Sequence, residues 1–200
     1  MSLRSSLTAS ALLTALLFSA TAATAQVRIT EVAPWSSGNS AVGADWFELT
    51  NFGSSAVDIT GWRVDDSSAS FGASLALNGV TSIGAGQSVI FIESTGAAND
   101  LFRSNWFGSA SYAGVVIGNY NGSGIGLSTG GDAVNIYNAS GVLQANVSFG
   151  ASDASSPFQT FDNSAGLNNV SLTTLSTAGT HGAFVIASGL EIGSPSLVPE

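Results

Sequence analysis

From residue 26 onward apolar and polar residues alternate with a period of two, and helical periodicity is nearly absent. The pattern predicts strands over 27–33 and 46–51, with Phe47 and Leu49 on one face and Trp46 and Glu48 on the other. Strict alternation in the first strand places Val27, Ile29 and Glu31 on a common face. A third strand is expected over 56–59 and 62–64, bent at Gly61, because glycine inside a strand pattern marks a bulge or bend. A short strand at 74–77 precedes a strong one at 88–93, where Val89 and Phe91 oppose Ile90 and Ile92. Apolar residues on both faces make that strand a central one. Residues 99–107 are the one helix candidate, and 113–117 form a short apolar run. Residues 132–138 and 142–149 read as a hairpin around Asn138-Ala-Ser-Gly141. Loops are expected over 119–131 and 150–167, and final strands at 170–172 and 183–187. Several short strands separated by turn signals predict an all-β, two-sheet sandwich.

The first residues stand outside this pattern. Arg4 precedes an apolar stretch centred on Leu12, Leu13, Leu16, Leu17 and Phe18, and Ala23-Thr-Ala25 follows. A short apolar core ending in small residues is a secretory signal rather than a lasting span. Residues 1–25 are therefore expected to be a signal peptide cleaved after Ala25, which makes the protein secreted or cell-surface.

Composition narrows the partners. The chain has 4 Lys+Arg, all arginine, against 13 Asp+Glu, a net charge of -9 and only 8% charged residues. At 44% hydrophobic and 9% aromatic it is too apolar to be a disordered acidic chain. Its surface must be covered by Ser, Thr, Asn and Gly, which suits sugars, matrix or cations. Nucleic acid is disfavoured, since phosphate neutralisation needs clustered Lys or Arg. The absence of cysteine excludes disulfides, thiol nucleophiles and cysteine metal sites.

Three blocks carry a family resemblance: Ile-Thr-Glu-Val-Ala-Pro at 29–34, Ala-Asp-Trp-Phe-Glu-Leu-Thr-Asn-Phe-Gly at 44–53, and Ala-Val-Asp-Ile-Thr-Gly-Trp-Arg-Val-Asp-Asp at 56–66. Together they resemble the opening of a lamin-tail domain, an immunoglobulin-like module that also occurs in secreted bacterial proteins. Ile-Gly-Ala-Gly-Gln-Ser-Val-Ile-Phe-Ile at 83–92 is similar to the family's turn into a buried strand, and Leu127 to Tyr137 with Gly141-Val-Leu143 to its Gly-Asp hairpin. Glu-Ile-Gly-Ser-Pro-Ser at 191–196 is similar to the exit of the bacterial form. The resemblance implies an immunoglobulin-like sandwich over residues 26–195, followed by a tail at 196–200. It also implies an attachment module with no catalytic role, acting on extracellular polysaccharide or on a cell-envelope or matrix protein. Because family members are often fused to nucleases or phosphatases, the alternative is an accessory or targeting domain for an extracellular metal-dependent hydrolase. A structural matrix protein that self-associates through sheet edges is a third reading. Val198-Pro-Glu200 resembles the start of a PEP-CTERM sorting tail, which implies a membrane contact only where an apolar helix follows residue 200.

Candidate chemistry is sparse. His181 is the one histidine, and acid–base catalysis needs a positioned partner that the sequence does not identify. Gly126-Leu-Ser-Thr-Gly130 matches a nucleophile elbow by letter, but its flanks lack the strand–turn–helix setting. Without lysine, P-loop and Schiff-base chemistry are excluded. Two readings are open for the acidic residues. Glu31, Asp45, Glu48 and Asp66 would form a Ca²⁺ site, since clustered carboxylates suit that ion. Alternatively, Glu31 and Glu48 take hydrogen bonds from turn backbone while Asp45, Asp65 and Asp66 are solvated. Trp46 and Trp62 belong to strand patterns and to the core. Trp35 and Trp106 sit at loop-like positions, where an exposed indole would contact a ligand and a covered one would pack under a loop. The polar loops 35–43 and 119–131 are the expected contact surfaces.

Overall fold

The computed structural model describes residues 26–35, 42–122, 124–152 and 155–197. The expected signal segment, most of the 35–43 loop and the sorting-tail motif lie outside the described residues. In chain order the strands are β1 (Val27–Ala33), β2 (Trp46–Asn51), β3 (Val57–Asp58), β4 (Arg63–Asp65), β5 (Leu75–Ala76), β6 (Ser82–Ile83) and β7 (Ser88–Glu93). The helix α1 (Asn99–Phe107) follows, then β8 (Ile117–Tyr120), β9 (Asp132–Tyr137) and β10 (Leu143–Phe149). The chain finishes with β11 (Phe158–Gln159), β12 (Phe161–Asp162), β13 (Val170–Leu172), β14 (Phe184–Val185) and β15 (Glu191–Gly193).

Two five-stranded sheets form an immunoglobulin-like sandwich, the first ordered β12-β1-β2-β7-β8 and the second β13-β10-β9-β4-β5. The core between them takes Val27, Ile29, Phe47, Leu49, Val89 and Phe91 from the first sheet and Val64, Val134, Ile136, Val147 and Phe149 from the second. These are the alternate positions that the period-two pattern predicts for β2 and β7. The strand at 88–93 is central, with both faces buried, as its apolar alternation requires.

The first sheet is covered on its other face as well. Strands β7 and β8 pair in parallel, and a parallel neighbour requires a crossover long enough to hold a helix. That crossover is α1, which ends at Gly108 in the left-handed conformation (φ 74°) that glycine adopts without steric cost. Phe102 and Trp106 of α1 join Trp35, Trp46, Ile90, Ile92 and Ile186 in a second core on the outer face. A small sheet, β11-β15-β14, lies beside the helix, with Phe158 and Phe184 packed on this core.

Two local expectations change. The bent third strand is broken: β3 pairs with β6 in a separate ribbon, whereas β4 joins the second sheet. Gly61 (φ 73°) turns the chain between them. In β1 a bulge lies between Ile29 and Glu31, so Val32 rather than Glu31 shares the core face of Val27 and Ile29. The extra residue shifts Glu31 to the outer face, directly opposite Glu48.

Candidate functional site

The bulge makes a pair of buried glutamates. Glu31 and Glu48 are both 1% exposed and stand side by side on β1 and β2. The hydroxyl of Thr160 and the backbone N–H of Ser194 (2.8 Å) donate to Glu31 Oε1. The hydroxyl of Thr30 donates to Glu48 Oε1 at 2.5 Å, and the N–H of Ser196 donates to its Oε2 at 2.6 Å. Pro195 stands between these two amides, so Ser-Pro-Ser lays alternate N–H groups on adjacent carboxyls. Burial raises the Glu31 pKa to about 8, reinforced by repulsion from Glu48 and opposed by the Thr160 and Ser194 hydrogen bonds. Burial likewise raises Glu48 to about 7 against its four hydrogen-bond partners. Glu31 Oε2 is buried without a partner, a smaller cost on a neutral acid than on a carboxylate.

The four carboxylates considered for Ca²⁺ are not gathered. Asp45 is fully buried, and its Oδ2 accepts from the Leu127 N–H at 2.6 Å, which fastens the 121–131 loop to the sheet. Asp66 follows β4 in the second sheet, where its Oδ1 caps the N–H of Ser68. Asp65 is buried as well, accepting from Ser68 and Ser70, so neither Asp45 nor Asp65 is the solvated residue of the alternative reading. Among the described residues no group of three or more His, Asp or Glu is close enough to hold a metal ion. Glu31 and Glu48 instead take turn-backbone hydrogen bonds.

The expected aromatic contacts need correction. Trp35 is fully buried and Trp106 is 4% exposed. Trp35 meets Trp46 edge-to-face at 6.1 Å, and Trp46 meets Trp106 at 5.7 Å, so both indoles belong to the outer core. Loop position did not imply exposure because α1 and the C-terminal strands cover this face. Within the 119–131 loop Ile125 and Leu127 are also buried.

A different place offers an open surface. Where the chain leaves β12 for β13, passing from one sheet edge to the other, it borders a cleft of about 380 Å3. Asp162, Asn163, Ser171, Leu172, Thr173 and His181 contribute to its walls. His181 Nδ1 lies 2.7 Å from Asp162 Oδ2, and Asp162 Oδ1 accepts from the N–H of Ser164 at 2.8 Å. The histidine side chain is 56% exposed and its partner 8%. The buried Asn163 fixes one wall: its amide donates to the carbonyls of Ile29 (2.5 Å) and Leu167 (2.9 Å), and its carbonyl accepts from the Leu167 N–H. Sequence reasoning set His181 aside for want of a partner, and Asp162 lies 19 residues away with no spacing motif to betray it. The one available signal was the Gly179-Thr-His-Gly182 context, which marks a turn of unusual backbone geometry.

Comparison with known proteins gives one match. The sequence profile of the Lamin Tail Domain family covers residues 20–151, well over half of the chain. No curated protein and no solved structure matches the chain.

Proposed function

The chain belongs to the lamin tail domain family, whose immunoglobulin-like members are non-catalytic interaction modules, and we propose that it is an exported attachment domain for extracellular polysaccharide at the cell surface or in the surrounding matrix. The observation that carries this reading is the lining of the edge cleft, which is rich in Ser and Thr hydroxyls and holds Asp162 but no Lys or Arg. Few cations accompany it in the chain, with 4 Lys+Arg against 13 Asp+Glu, so polyanionic partners are electrostatically disfavoured. Rigid strands with polar loops suit recognition through many hydrogen bonds rather than through a reacting group. The family profile reaches residue 151, whereas the cleft is built by residues 162–181, so attachment would rest on a segment beyond the matched residues, whose strands β12 and β13 form edges of the two sheets.

The test is retention of the mature protein, beginning at Gln26, on purified exopolysaccharide and on cell-envelope fractions. Saturable retention on polysaccharide is expected. Binding confined to an envelope protein would replace the ligand class, and no retention on either would end the attachment reading. Generic nuclease and phosphatase substrates with added divalent metal are expected to remain intact; turnover would overturn the non-catalytic reading.

A further inference from the structure

We propose that the cleft at Asp162 and His181 binds a neutral saccharide through its ring hydroxyls. The inference rests on the attachment reading above and gives it an address and a ligand chemistry.

Asp162 acts here as an orienting group. One of its oxygens is held by the Ser164 N–H and the other faces His181 Nδ1. Nδ1 faces the carboxylate, which leaves Nε2 to meet a ligand hydroxyl, a group that can both donate and accept. His181 is held at φ +46°, in the left-handed region that non-glycine residues avoid. Such strain persists where the surrounding structure imposes it, and it concentrates at binding sites. Glycines at 179 and 182, both with positive φ, form the turn that carries the ring to the cleft mouth.

The rest of the cleft supplies the complementary groups. Ser171 and Thr173 are exposed, and among the described residues their hydroxyls have no protein partner. Leu172 is buried beneath them, and Val170 and Leu167 add apolar surface. A sugar ring needs this mixture: acceptors and donors for its hydroxyls, and an apolar patch for its C–H face. The volume of about 380 Å3 falls within the range of small-ligand clefts. No Lys or Arg lines the cleft, so phosphate, sulfate and uronate groups would find no counter-charge beside Asp162. The Asn163 hydrogen bonds hold the 163–167 turn in place before any ligand arrives, which lowers the ordering cost of binding.

The experiment uses the full mature chain on an array of immobilised neutral oligosaccharides (glucan, mannan, galactan and xylan fragments), with sulfated and uronate glycans as controls. Binding to at least one neutral class is expected, with displacement by the same free oligosaccharide. Thr173→Ala and His181→Gly should each weaken it tenfold or more. His181→Gly is the discriminating variant, because glycine relieves the positive φ: its melting temperature should hold or rise while binding falls. Failure to bind any neutral glycan, preference for the polyanions, or binding unchanged in both variants would each overturn the proposal. If the variants still bind exopolysaccharide as the parent does, the attachment reading stands and only this address fails. If the parent binds no polysaccharide fraction, both fall together.

Discussion

On its inner face the first sheet presents Val27, Ile29, Phe47, Leu49, Val89 and Phe91 to the second sheet; on its outer face Trp46, Ile90 and Ile92 lie beside Glu31, Glu48 and Thr50. The inner face is sealed mainly by the second sheet, with Ile59, Trp62, Leu77 and Leu127 added from turns and loops. The outer face is sealed by α1 and by the last forty or so residues, which bring apolar groups over the tryptophans and backbone N–H groups over the glutamates. Burying an unpaired charge is far more costly than burying a methyl group, so the acidic half of that face survives by protonation and by donated hydrogen bonds. A sheet can thus bury polar residues on one face provided that a later segment supplies their partners.

Trp46 and Phe47 are adjacent and point to opposite cores, which makes them the sharpest test of that comparison. Trp46→Ala and Phe47→Ala should each cost about 3–5 kcal/mol, measured by urea unfolding at equilibrium. A cost for Trp46→Ala below about 1 kcal/mol would mean that the outer layer is a loose cover and not a second core.

The glutamates make the outer face pH-sensitive in a definite direction. Their folded pKa values, about 8 and about 7, lie above the ordinary 4.5, so the folded chain holds protons that the unfolded chain releases. The stability they contribute is complete below about pH 4.5 and is lost as pH rises through 7 and 8. Unfolding free energy should therefore fall from pH 5 to pH 9 by on the order of a few kcal/mol. The double variant Glu31→Gln with Glu48→Gln should flatten the curve in that window. A slope unchanged in the double variant would assign the pH dependence to other groups.

Gly193→Ala probes how tightly the C-terminal segment sits. An added Cβ would lie 2.5 Å from Glu31 Oε1 and 3.0 Å from both Thr160 and Trp106. The substitution should cost about 1–3 kcal/mol, read as a lower urea midpoint with an unchanged slope. The smallest effect belongs to the solvent side of α1. Arg103 reaches Asp100 at 3.5 Å, and Asp100 is 78% exposed, so Asp100→Ala should change stability by less than about 0.5 kcal/mol. A larger loss would show the helix contributing through its surface and not only through Phe102 and Trp106.

Much of the sandwich is legible in the residues, because a strand with one buried face writes its own alternation. The spans 27–33, 46–51, 88–93 and 170–172, and the helix at 99–107, agree with the observed elements. Strands β6, β11, β12 and β15 were not expected, whereas β3, β5 and β14, similarly short, fall inside longer apolar patterns that the alternation does mark. The candidate site was legible only in fragments. Glu31 and Glu48 stood out as acids inside strand patterns, but the bulge that pairs them leaves no mark in an alternating sequence. Trp35 and Trp106 were identifiable as large aromatics in irregular surroundings, but nothing local tells which side of them another segment covers.

The sequence by itself determined the fold class, the central place of β7 and the division of β2 into Phe47/Leu49 and Trp46/Glu48 faces, since each follows from alternation within one strand. Only the tertiary structure decided that Glu31 meets Glu48, that Ser194 and Ser196 donate to them, and that Asp162 holds His181 at the mouth of a cleft. Those contacts join residues from 17 to 163 positions apart. Local propensity carries no information about such pairings; they are selected when the whole chain minimises buried, unpartnered charge.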